Sequence, residues 1–181
     1  MTSKYKDVIG FLFRFLGLYL MLNVIYGLFI EYYSPGYDPI TALVTKNAVW
    51  ILSEFNPHVS MVQTANDASI KILNGTRTII GVYEGCNSIN VIIVFLSFLF
   101  AFVGTLKRTL IFMGFGTAMI YLMNLLRILL LYEVAVHFPK NLYFFHKYLF
   151  TAIIYGAVFI LWYFWIKQAT PNESGTTADQ R

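Results

Sequence analysis

The stretch Tyr83-Glu84-Gly85-Cys86-Asn87-Ser88-Ile89-Asn90 holds the one cysteine of the chain. A β-branched, glycine-containing run precedes it (Thr78-Ile79-Ile80-Gly81-Val82), and a wall of hydrophobes follows over residues 91–104. A lone thiol where an extended segment meets a membrane helix is poorly placed for structure and well placed for a nucleophile at a membrane surface. A thiolate attacks a peptide carbonyl and forms a thioester. A free thiol has a pKa of about 8.5, so it needs a histidine, a cation or a helix N-terminus to ionise at neutral pH. His146, Arg127 and the amides that open the helix after Cys86 can supply all three. Asn87 or Ser88 can cap that helix. Arg127 can instead hold a developing oxyanion. Asn124, three residues earlier on the same helix face, can orient the arginine or donate to a substrate.

Each residue also has an ordinary use. A lone cysteine is most often a small buried hydrophobe, and a loop histidine is most often solvated. Arg127 differs, because a charge inside an apolar run costs ~2.5–3.5 kcal/mol to insert and intramembrane charges are functional by default. His137 is the rival for the histidine role. It stands before Pro139, well short of the last apolar run, whereas His146 is two residues before Tyr148. His58, after Pro57, has the weakest claim.

These residues must be carried by a membrane protein. The 181 residues are 58% hydrophobic, 18% aromatic and 12% charged, where a soluble domain has about a quarter of its residues charged. The net charge of +4 is spread along the chain and forms no basic face for nucleic acid. One cysteine excludes an internal disulfide. The first apolar run is too long for a signal-peptide core and lacks a cleavage site, so it reads as a retained anchor.

The apolar runs predict an all-α integral membrane bundle of about four spans: residues 8–30, 89–106, 110–131 and 148–166. Together they form a single membrane-embedded domain, 1–168, followed by a disordered cytoplasmic tail, 169–181. Residues 31–85 form a small extracytoplasmic cap. Asp38-Pro39 signals an N-cap with proline at the first helical position. The helix that follows is amphipathic, with Ile40, Leu43, Val44, Ala48, Ile51, Leu52 and Phe55 on one face, Thr41, Thr45, Lys46, Ser53 and Glu54 largely elsewhere, and the whole laid in the interface. A strand at 59–63 and a β-hairpin pairing 69–73 with 76–80 complete the cap, with Asn74-Gly75 as a type I′ turn. Lys107-Arg108 reads as a tight basic turn, and residues 133–147 as a polar loop.

Span-flanking charge orients the bundle. Lys4, Lys6, Lys107, Arg108 and Lys167 fall on one side, Lys140 and Lys147 on the other, which puts both termini in the cytoplasm. With four spans, Cys86, Arg127 and His146 then share the outer leaflet, a convergence that nothing in composition requires.

Glu84-Gly85-Cys86-Asn87-Ser88, then Asn124-Leu125-Leu126-Arg127-Ile128, then His146 ahead of a last apolar span resemble the exosortase/archaeosortase family, over about residues 83–165. The resemblance implies that Cys86, Arg127 and His146 are the catalytic residues, with Glu84, Asn87 and Asn124 around the substrate. It implies a cysteine peptidase or transpeptidase of the bacterial inner membrane, with its active site facing the periplasm. Its substrates would be exported proteins that end in a short motif, a hydrophobic helix and a basic tail, transferred through a thioester to a cell-surface acceptor. Many members carry Ser-Gly or Ala-Gly after the cysteine and have more spans. Asn87-Ser88 and the compact length resemble a short subfamily of Bacteroidetes-type bacteria.

The competing class is a non-enzymatic membrane protein, a transporter subunit or assembly factor, in which Arg127 pairs with Glu84 or Glu133. A transporter would spread polar residues across the bilayer, whereas here they gather at one surface. No metal-ligand spacing joins His137, His146 and Cys86. No cofactor is expected, and the partners are the bilayer and the substrate proteins, not nucleic acid.

Overall fold

A computed structural model describes residues 2–64, 67–102 and 105–169. All of the expected C-terminal tail but Ala169 lies outside them. The protein is a multi-pass helical membrane protein with a small sheet. Among the described residues, three stretches are long and apolar enough to cross a bilayer: Tyr5–Tyr33, Leu106–His137 and Pro139–Gln168. They belong to α1 (Thr2–Tyr33), α4 (Leu106–His137), and a last stretch made of a 3₁₀ turn (Pro139–Asn141), α5 (Leu142–Phe144), a π turn (Phe145–Leu149) and α6 (Phe150–Ala169).

The expected second span is shorter than its apolar run. Helix α3 covers Ile89–Ala101, 13 residues, or about 20 Å, and Phe102 leaves it with extended backbone. Val103-Gly104-Thr105 follows, two β-branched residues around a glycine, a weak helix-forming sequence. Nor are Lys107 and Arg108 a turn, because they lie in the first turn of α4. The expected polar loop at 133–147 is helical almost throughout: α4 runs on to His137 and helical turns resume at Pro139.

Helix α4 is about 48 Å long over its 32 residues, more than a bilayer's hydrocarbon core requires. It therefore serves two cores. Its first half packs Met113 and Ile120 with Ile92, Phe95 and Leu99 of α3 and Val158, Leu161 and Trp165 of α6. Gly116 allows the closest approach there, since a Cβ on it would fall 2.1 Å from the Phe95 ring. Its second half packs Leu125, Ile128 and Tyr132 with Val44, Ala48, Leu52, Val59, Ile72, Val82 and Cys86. The cap is thus built against the second half of α4. Helix α1 leans on α3, with Phe11 edge-on to Phe98 and Phe102 at 5.5 and 5.2 Å between ring centroids.

In the cap, α2 (Pro39–Phe55) starts as expected: Asp38 Oδ1 accepts hydrogen bonds from the amides of Ile40 and Thr41, each 2.9 Å. Its inner face differs from the amphipathic expectation. Thr41, Val44, Thr45, Ala48 and Leu52 are buried, while Leu43 and Phe55 point outward. The small threonines allow close packing, and their hydroxyls find acceptors in Asp38 Oδ2 and the Thr41 carbonyl.

The sheet is an antiparallel meander of β1 (Val59–Val62), β2 (Ile70–Asn74) and β3 (Arg77–Val82), in that order. The hairpin exists, but its loop lies one residue further along, and Leu73, expected opposite Thr76, lies opposite Thr78. Asn74 pairs with Arg77, so Gly75-Thr76 is the loop. Gly75 has φ +60°, which suits a glycine-first loop rather than the type I′ turn expected of Asn74-Gly75. A bulge opposite Ile72 and Leu73 twists β3 as it runs toward Cys86.

Candidate active site

Strand β3 ends at Val82, Tyr83 is extended, and Glu84–Cys86 form one 3₁₀ turn. Ser88 then takes a left-handed conformation, φ 65°, and α3 begins. Cys86 is a free cysteine, 4% exposed. Its Sγ lies 3.8 Å from Nε2 of His146, across 60 residues of sequence. The two side chains line one cavity of about 400 Å³, together with Ile79, Ile80, Gly81 and Val82 of β3, Ile128 and Leu131 of α4, and Leu142 and Tyr143.

His146 sits in the π turn at Phe145–Leu149. A π turn widens the helix by one residue and re-aims the side chains on it, a feature frequent at functional sites. Arg127 is half-buried on α4. It has no hydrogen-bond or ion-pair partner among the described residues, and its charge acts on both Cys86 and Tyr83. Two of the sequence candidates, Cys86 and His146, thus line one cavity, and the charge of Arg127 reaches Cys86.

Burial pushes the Cys86 thiol above its ordinary range. Hydrogen bonds with Tyr83 and the positive charge of Arg127 pull it back only in part, and Glu84 adds to the rise. The resting group is therefore a thiol, and the surroundings do not ionise it outright as the sequence suggests. A thiol in this state would need a proton acceptor to act as a nucleophile, and the His146 nitrogen is within reach. Tyr83 is a site residue that the spacing argument misses. Its phenol is pushed up, first by the charge that Cys86 carries when ionised and then by burial, so it stays protonated beside a thiolate and can donate to sulfur. Its ring packs so close to Gly85 that a Cβ there would lie 2.5 Å away. The Tyr83-x-x-Cys86 spacing across a single 3₁₀ turn was the available signal.

The supporting polar groups are buried and differently engaged than expected. Asn124, fully buried, donates Nδ2 to the Cys86 carbonyl at 2.7 Å, so it holds the Cys86 backbone and makes no hydrogen bond to Arg127. Asn87 Oδ1 accepts from the Ile89 amide at 3.0 Å, as a cap would. Its Nδ2 donates to the Tyr26 hydroxyl on α1 at 2.8 Å and to Thr41 Oγ1 on α2 at 3.2 Å. One side chain thus ties α1, α2 and α3 together beside Cys86. Glu84 is half-buried and forms no ion pair among the described residues. His137 lies apart. It is exposed, bonded to Glu133 of its own helix, and lines a separate, smaller cavity. No cluster of three metal-ligating side chains occurs among the described residues.

The family model for transmembrane exosortases matches residues 6–169. No curated protein and no solved structure matches the chain.

Proposed function

The chain belongs to the transmembrane exosortase family, and on that premise we propose that it is a membrane cysteine transpeptidase that cleaves C-terminal sorting signals of exported proteins. The observation that carries this reading is the approach of Cys86 Sγ to His146 Nε2, 3.8 Å, in the wall of a cavity of about 400 Å³. As the Cys86 sulfur attacks the scissile carbonyl, His146 takes the thiol proton. The carbonyl oxygen becomes an oxyanion, stabilised by the Arg127 charge and the Tyr83 hydroxyl. The intermediate collapses as the C–N bond breaks. The departing amine takes the proton from His146, and the substrate remains on sulfur as a thioester. An acceptor nucleophile, deprotonated by His146, then attacks the thioester carbonyl and releases the thiolate, which regains the proton.

The flanking charges support an inner-membrane location with the site facing the periplasm, and Asn87-Ser88 supports the compact subfamily. The test is processing of a co-expressed protein ending in a short motif, a hydrophobic helix and a basic tail. Processing stops in Cys86→Ser and His146→Ala and persists in His137→Ala. In intact spheroplasts a membrane-impermeant thiol reagent blocks it. Unchanged processing in Cys86→Ser ends the reading, and a block that needs lysis reverses the orientation.

A further inference from the structure

The cavity beside Cys86 has one wall unlike the others. Four consecutive residues of β3, Ile79 to Val82, line it, and β3 is an edge strand with β2 on one side only. In an antiparallel pair, alternate residues turn their N–H and C=O groups away from the partner strand. On β3 these groups find no main-chain partner among the described residues. Residues 79 to 81 of this wall are only partly buried or exposed, and Gly81 adds no side chain to block the edge. The strand then leads within four residues to the nucleophile, and Cys86 and His146 line the same space. The opposite wall, Ile128, Leu131 and Leu142, is apolar.

Resting on the transpeptidase reading, we propose that the substrate's cleavage motif binds as a fourth strand along the free edge of β3, its backbone read by β3 and its scissile carbonyl delivered to Cys86. The occupant is an extended peptide, because only main chain presents donors and acceptors at the repeat of a strand edge. Side chains facing the helical wall must be small or apolar, since about 400 Å³ holds only a few of them. The bulge near Ile79 limits the paired length to the residues next to Cys86. The other edge strand, β1, contributes nothing to this cavity.

The test uses two reagents on the full-length protein in nanodiscs. One is tri-alanyl vinyl sulfone, which presents peptide backbone without any particular motif, and the other is ethyl vinyl sulfone, which presents none. Both alkylate Cys86, and the rate is read by intact mass. The peptide reagent should react faster and saturate. Methylating one of its amide nitrogens should slow it roughly five- to tenfold, the loss of one main-chain hydrogen bond. Methylating the adjacent amide, which points away from β3, should leave the rate nearly unchanged. If the peptide reagent has no advantage, or every methylated form reacts like the parent, strand addition is wrong while the nucleophile stands. If neither reagent alkylates Cys86, the nucleophile reading falls and strand addition with it.

Discussion

Asn124 donates its side-chain amide to the carbonyl of Cys86 at 2.7 Å, and both groups are buried. The position of Cys86 is therefore set by the middle of α4, the helix that also carries Arg127. Removing the donor in Asn124→Ala leaves a buried carbonyl unsatisfied, at a cost of about 1–3 kcal/mol. The variant should be less stable in detergent unfolding. Its Cys86 should also react with a small alkylating reagent at an altered rate. Wild-type stability together with wild-type alkylation would show that the contact positions nothing.

Arg127 acts on the thiol through charge. An adjacent cation favours the thiolate, so Arg127 lowers the Cys86 pKa against the larger upward push of burial. Arg127→Gln removes only the lowering effect. The pH profile of Cys86 alkylation should therefore move to higher pH. Arg127→Lys keeps the charge and should leave that profile nearly in place, yet processing should fall because the planar fork is lost. A profile that stays put in Arg127→Gln, or moves to lower pH, would remove the arginine from the site's electrostatics.

Much of this was legible in the sequence, for reasons that can be traced. The apolar runs are long, and Cys86, Arg127 and His146 are rare residue types in such a setting. Alternation of spans then put them at one surface. The Asp38-Pro39 cap worked because capping is local chemistry. What failed depends on tertiary packing. The face of α2 was misjudged because hydrophobicity alone does not reveal that Thr41 and Thr45 satisfy their hydroxyls inside. The hairpin loop lies one residue further along because either of two adjacent residue pairs can form a two-residue loop containing Gly75, and the bulge on β3 shifts the partners of Ile72 and the residues before it further. The loop expected at 133–147 is helical because the polar residues there are tolerated on exposed helical turns: Glu133 and His137 bond within their own helix. The π turn under His146 has no sequence signature.

Ser88 occupies a left-handed position, φ 65°, where glycine is at ease. Ser88→Gly relieves roughly 1–2 kcal/mol of backbone strain. It also loses the Oγ hydrogen bond to the Asn87 carbonyl, worth ~0.5–1.5 kcal/mol. The two nearly offset, so stability and processing should stay close to wild type. Ser88→Val puts a β-branched residue there and should lower both, since the Cys86-Asn87 turn must shift. Equal tolerance of glycine and valine would mean that the turn is not needed in this form.

The role proposed for Cys86, with His146 as its proton acceptor, is to carry the substrate as a thioester. The direct measurement is the mass of the Cys86 peptide after incubating the membrane-embedded protein with a sorting-signal substrate and quenching in acid. The account predicts an acyl adduct on Cys86 that hydroxylamine removes, absent in Cys86→Ser and strongly reduced in His146→Ala, with His137→Ala like wild type. Substrate cleavage with no adduct on Cys86 in any of these forms, or an adduct lost in His137→Ala and retained in His146→Ala, would contradict it.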